Sequence, residues 1–236
     1  MPRRAKASRP AKAPGAPAEA ADGSAEPVPH GRGRKIAAKR TAILGAGLKL
    51  FSRYGLHGAT MEEIAKAAHV SKTNLFYYFA SKEEIYVAIL RQLLESWFAP
   101  LDGLKPEADP VAAIGAYIRQ KVIFSRDNPD ASRLFCLEIV QGAPLLGPEL
   151  RGVLKAVVDA KAGVIRAWVA AGKLAAVDPH HLLFSIWATT QHYADFAAQI
   201  DAVIGRDLTD ETYLEATIAN IQRIVLDGVR PRGAGG

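Results

Sequence analysis

Almost every segment from Lys39 to about Gly228 repeats its apolar side chains at helical spacing. No hairpin turn and no run of alternating β-branched residues interrupts the pattern. Ile43, Ala46, Gly47, Leu50 and Phe51 form the first apolar stripe, and Gly55 is expected to end that helix. Thr60 can cap the next, with Glu63 completing a capping box. Ser71 and Ser81 read as further caps, the second followed by Lys82-Glu83-Glu84 at the start of a long helix over 82–101. Further helices are expected near 110–127, 130–141, 147–171, 179–201 and 209–228. Pro129, Pro144, Pro148 and Pro179 sit at or near helix starts, where a missing N–H is harmless. The expected fold class is all-α, with about nine helices and no internal repeat.

Composition narrows the function classes. Apolar residues make up 49% of the 236-residue chain, enough for a substantial core. No apolar run is long enough to span a bilayer, and no apolar segment follows the basic amino terminus as a secretory signal requires. A single cysteine, Cys136, excludes an intrachain disulfide and a cysteine-built zinc site, and it fits a reducing cytoplasm. Residues 1–40 hold ten Lys or Arg and three Asp or Glu, more than the whole net charge of +6. Residues 1–35 are rich in Ala, Pro, Gly and Arg with almost no large apolar side chain, so they read as a disordered tail. Such a tail solubilises, and it can also hold phosphates by charge alone. A DNA-binding unit is expected over 36–82 and a larger helical domain over 83–232.

The informative stretch is Thr60 to Lys82. Ile64, Ala65 and Ala68 face inward on one short helix, His69-Val70-Ser71 makes a tight turn, and Leu75 and Phe79 anchor a second short helix. Two short helices joined in this way, supported by a preceding helix, form a helix-turn-helix. The second helix exposes Lys72, Thr73, Asn74, Tyr77 and Tyr78. Asn74 can bond an adenine edge in bidentate fashion, Lys72 can reach guanine or phosphate, and Thr73 can touch a thymine methyl or a phosphate. Tyr77, Tyr78 and Lys82 suit backbone contacts. A packed helical hairpin with a solvated polar face would share much of this pattern.

Phe51-x-x-Tyr54-Gly55, Gly58-x-Thr60, Ile64-Ala65-x-x-Ala68-x-Val70-Ser71 and Tyr77-x-Phe79-x-Ser81-Lys82-Glu83 resemble the TetR family of regulators over Thr41 to about Arg91. Phe76 and Tyr78 stand where that family often has Tyr and His. Phe76 lacks a hydroxyl contact, while Tyr78 can still reach a phosphate. The resemblance implies a homodimer on a partly palindromic double-stranded operator, released or retuned by a small ligand. It further implies that the last two helices, about Pro179–Ile200 and Thr209–Gly228, form a four-helix dimer bundle. Ala188, Ala194, Ala197 and Ala198 would allow close approach, and Ile218, Ile221 and Val225 would supply a seam; packing within one subunit would use the same residues.

Phe184, Trp187 and Gln191 share one helix face by spacing. Trp187 offers a flat surface and an indole donor, and Gln191 offers a donor and an acceptor together, which suits a flat heterocycle with adjacent N–H and C=O groups. Trp97, on the helix leaving the DNA-binding unit, is placed to link ligand to DNA. Trp168, Arg133 and Cys136 are further candidates. The segments Ser71–Leu75, Ala131–Cys136, Gly142–Leu146 and Ile186–Phe196 resemble the branch of the family that controls pyrimidine utilisation. That resemblance implies uracil or thymine as effector, no cofactor, and Trp97, Trp187 and Gln191 lining the site. Three other readings stand beside it. One is a regulator of efflux with a broad hydrophobic ligand. Another is an enzyme built on His192 and Asp195 or on His180-His181, for which no metal-ligand set or nucleophile motif is present. The third is an architectural DNA protein using the basic tail.

Overall fold

The computed structural model describes residues 31–231, and every regular element among them is helical. Helix α1 runs Gly31–Gly58, α2 Met61–Ala67, α3 Lys72–Tyr78 and α4 Lys82–Phe98. A 3-10 turn, Ala99–Gly103, leads to α5 (Pro110–Asp127) and α6 (Pro129–Val140). The short α7 (Gly147–Glu149) passes through a π turn, Leu150–Leu154, into α8 (Lys155–Ala170). The chain closes with α9 (Pro179–Asp195), α10 (Ala197–Ile204) and α11 (Glu211–Val229).

The boundaries follow local chemistry. Thr60 and Glu63 make the reciprocal capping box on α2, and Ser71 and Ser81 accept from Asn74 N and Glu84 N at 3.1 and 3.2 Å. Asp109 and Asp178 cap α5 and α9, each followed by a proline at the first helical position. Gly55 takes φ 69°, which breaks α1 three residues before its end. Three expected boundaries move. The helix begins at Gly31, so the last five residues of the expected tail are helical, and residues 1–30 lie outside the described residues. The helix expected over 82–101 is α only to Phe98 and tightens into the 3-10 turn, where Pro100 supplies no N–H for the helix ladder. The helix expected over 179–201 is broken at Phe196, whose backbone leaves the helical region at φ −114°, ψ 31°.

Two cores divide the molecule. One joins α1–α4 to α6, with Phe51, Ile64, Leu75, Ile85 and Leu134 among its buried members. The other is built from α5, α8, α9 and α11 around Ile118, Ile165, Trp168 and Ile186. The first core therefore continues past residue 82 into α4 and α6, and α6 packs directly on α1. The expected seam residues Ile218, Ile221 and Ala194 are buried inside this single chain, while Ala188 is exposed.

Candidate DNA-binding head and ligand cavity

The α2–α3 pair is held by Leu75 and Phe79, both essentially buried, and by backbone bonds through the turn, including Val70 N to Ala65 O at 3.0 Å. His69 takes φ 55° there, which gives a sharp turn, and Val70 packs half-buried against the core. Helix α3 presents Lys72, Thr73 and Tyr77 to solvent, with Tyr77 73% exposed, while Asn74 and Tyr78 are half-buried. The rings of Tyr77 and Tyr78 meet edge-on at 5.2 Å. Lys72 is ion-paired with Glu62. Both groups are exposed, so the pair adds little stability and Lys72 can exchange Glu62 for a phosphate. Lys82 also has a structural role within the head. Its Nζ donates to the carbonyls of Ala59 (3.0 Å) and His57 (3.5 Å), pinning the start of α4 to the end of α1.

Trp97, Trp187 and Gln191 meet at one small cavity of about 40 Å³, joined by Tyr117, Lys121 and Phe135. The walls are mostly apolar, with a few polar groups, as small-ligand sites are. The two indoles differ in a way their spacing does not show. Trp187 Nε1 already donates to Tyr117 Oη at 2.7 Å, whereas Trp97 Nε1 is buried with no hydrogen-bond partner among the described residues. An unpaired buried donor is costly, and a ligand carbonyl would remove that cost. Burial holds the Tyr117 phenol well above its ordinary pKa, so its proton remains to be donated.

Lys121 is the residue that sequence reasoning missed. It is 3% exposed, with its ammonium 4.4 Å from the centre of the Trp97 ring. Burial pushes its pKa down to about 8, and Asp195 pulls in the other direction. The signal was a lone cation four residues after Tyr117, flanked by Ile118 and Val122 on a core-facing stripe. Asp195, at the end of α9, accepts from Ser132 on α6, and its own pKa is raised by burial.

The remaining candidates fall elsewhere. Phe184 is half exposed and outside the cavity, tilted against Trp187 at 5.5 Å. Trp168 is buried in the second core, donating to Pro106 O at 3.1 Å. Arg133 is exposed and pairs with Asp130 at 3.6 Å. Cys136 lines a neighbouring open cleft with Asp195 and His192, separated from the cavity by Phe135, Trp187 and Gln191, which border both. Among the described residues no group of His, Cys, Asp or Glu is arranged to hold a metal ion, and no helix is long and apolar enough to cross a membrane.

Residues 43–89 match the family described as bacterial regulatory proteins, tetR family, and residues 90–232 match the YcdC-like protein, C-terminal region. The chain is 55% identical over 201 residues to the HTH-type transcriptional regulator RutR of Escherichia coli K12, covering 85% of this chain and 95% of that one. Its fold is similar to that of the fatty acid degradation regulator FadR from Bacillus halodurans, with a TM-score of 0.62 at 20% identity, covering 82% and 97% of the two chains. A TetR-like transcriptional regulator from Rhodococcus sp. RHA1 aligns with a TM-score of 0.60 at 16% identity, over 80% and 94%. The helix-turn-helix head, the all-helical second unit and the near full-length match to a relative at this identity agree: the chain belongs to the TetR family of DNA-binding transcriptional regulators.

Proposed function

We propose that this chain regulates pyrimidine catabolism from the cytoplasm as a homodimer, leaving its operator when uracil or thymine binds. The observation that carries the reading is the meeting of Trp97, Trp187 and Gln191 at one mostly apolar cavity. The two indoles offer flat apolar faces to a planar ring. The Gln191 amide can pair with an adjacent N–H and C=O, and the Trp97 indole, the Tyr117 hydroxyl and the Lys121 ammonium are donors for a second carbonyl. The similarity to RutR supports the same ligand class.

On the DNA side, Asn74 reads adenine, while Lys72, Thr73, Tyr77 and Tyr78 set the register on a partly palindromic duplex. Lys82 adds a phosphate contact and also steadies the head's geometry through its bonds to the His57 and Ala59 carbonyls. The dimer uses the outward faces of α9 and α11, where Phe184, Ala188 and Ile224 are exposed. Helix α4 carries both Lys82 and Trp97, about 22 Å apart along its axis. A shift that optimises Trp97 around ligand therefore moves the head, and release follows if ligand binds that shifted state better.

Calorimetric titration with uracil and, separately, with a cationic dye tests the ligand class. Uracil binding that lowers operator affinity, with no dye binding, is the expected result; dye binding without uracil binding would sink the pyrimidine reading. Gln191→Ala should weaken uracil binding by about tenfold or more, the loss expected when one polar pair is removed from a buried site, and leave operator affinity unchanged.

A further inference from the structure

We infer that the amino-terminal extension of α1 is a second DNA-contacting element, in which Lys35 and Lys39 hold the phosphodiester backbone beside the recognition helix. The inference deepens the assignment of DNA binding to the α2–α3 head and rests on it. Helix α1 carries seven Lys or Arg and no Asp or Glu over Gly31–Gly58. Lys35 and Lys39 stand four residues apart, so they share one helix face, and both are exposed. Like charges at that spacing repel one another, and no acid on the helix offsets them. A polyanion reverses the sign of that interaction.

The position of the face is as informative as its charge. Lys35, Ile36, Ala38 and Lys39 border one open groove together with Tyr78, the last residue of α3. Next along α1, the Arg40 guanidinium lies over the ring of Phe79 at 5.1 Å, and Phe79 is the buried residue that ends α3. The two lysines are thus carried on a helix tied directly to the recognition helix. With α3 in a major groove, the groove between α1 and Tyr78 faces the bordering phosphates. Lysine suits this role as a mobile point charge that adds affinity and register without reading bases. Duplex DNA is the occupant favoured by charge and by continuity with α3. Residues 1–30 carry five Lys or Arg against three Asp or Glu, the same sign as the face, so they make a poor competitor for it.

The test is the salt dependence of binding by the full-length chain. The probes are a duplex enriched from sheared genomic DNA by the wild-type protein and a random-sequence duplex of equal length. Four neutralised phosphates across a dimer contribute about 3.6 to the slope of log affinity against log salt. Lys35→Gln/Lys39→Gln should therefore flatten the slope by about that amount and cost about 10²–10³-fold in affinity near 0.15 M salt. The ratio of selected to random binding should stay constant, and Lys35→Arg/Lys39→Arg should restore the wild-type slope. An unchanged slope in the Gln pair overturns the proposal, as does a lost ratio with an unchanged slope, which would assign base reading instead. A Gln pair that binds DNA normally but no longer binds phosphatidylglycerol vesicles would give the face to a membrane. Wild-type protein that selects no duplex would instead overturn the reading of the α2–α3 head.

Discussion

At the scale of single residues, chemistry separates side chains that spacing treats alike. Trp97 and Trp187 both border the cavity, but only Trp97 keeps an unused indole donor, because Tyr117 has captured the other. Lys121 is the most consequential residue in this group. Its folded-state pKa lies near 8, below the ordinary 10.5, so the folded molecule holds fewer protons than the unfolded chain between those values. Stability from this group therefore rises with pH across that window: the burial cost is fully present below pH 8 and is relieved above it. The unfolding free energy of the wild type relative to Lys121→Met should climb by about 2 kcal/mol between pH 7.5 and 9.5, read from urea midpoints. A flat difference would mean that Lys121 does not lose its proton more readily in the fold. Its place in the cavity was partly legible, since a lone cation on an apolar stripe invites a search for its partner. The partner itself was not legible, because Asp195 lies 74 residues away on another helix.

At the scale of helices, the head was readable because its signals are local. Caps at Thr60, Ser71 and Ser81 act within four residues of themselves, and the structure keeps all three. The break at Phe196 was not readable, because neither Pro nor Gly stands there and only the surrounding packing departs from helix. Helix contacts follow a similar rule. Gly47 stands in a plain apolar stripe, yet it is where α1 meets α4: a methyl added there would lie 2.8 Å from Ile85 Cγ2 and 3.1 Å from Ile89 Cδ1. Gly47→Ala should therefore destabilise the head by about 1–3 kcal/mol despite the better helix propensity of alanine. Chemical denaturation measures this directly, and a neutral or stabilising substitution would show that the two side chains can retreat. Gly45, two residues earlier, has open space around its Cβ position and supplies the control.

For the whole molecule, the division into two cores decides how the parts communicate. Because α4 and α6 share the head's core while Trp97 and Phe135 on them border the cavity, ligand and DNA act on one continuous body. Assembly also belongs to this scale. Ile218 and Ile221 are buried inside one subunit, so the large apolar side chains that α9 and α11 leave exposed are Phe184 and Ile224, at 50% and 57% exposure. Phe184→Glu/Ile224→Glu should give monomers in sedimentation velocity and reduce operator affinity while leaving the fold and uracil binding intact. Dimers that persist in that variant would place the interface elsewhere. The sequence by itself determined the helical class and the helix-turn-helix head with its caps, because these follow from periodicity and short-range hydrogen bonding; the meeting of Trp97 with Trp187 and Gln191 was implied only by the family resemblance. Only the tertiary structure decided which indole is free, that Lys82 is a staple, that Lys121 faces Trp97, and which apolar residues remain outside. Each of those depends on which distant helix comes to lie opposite, and burial and pairing are properties of both sides of a contact.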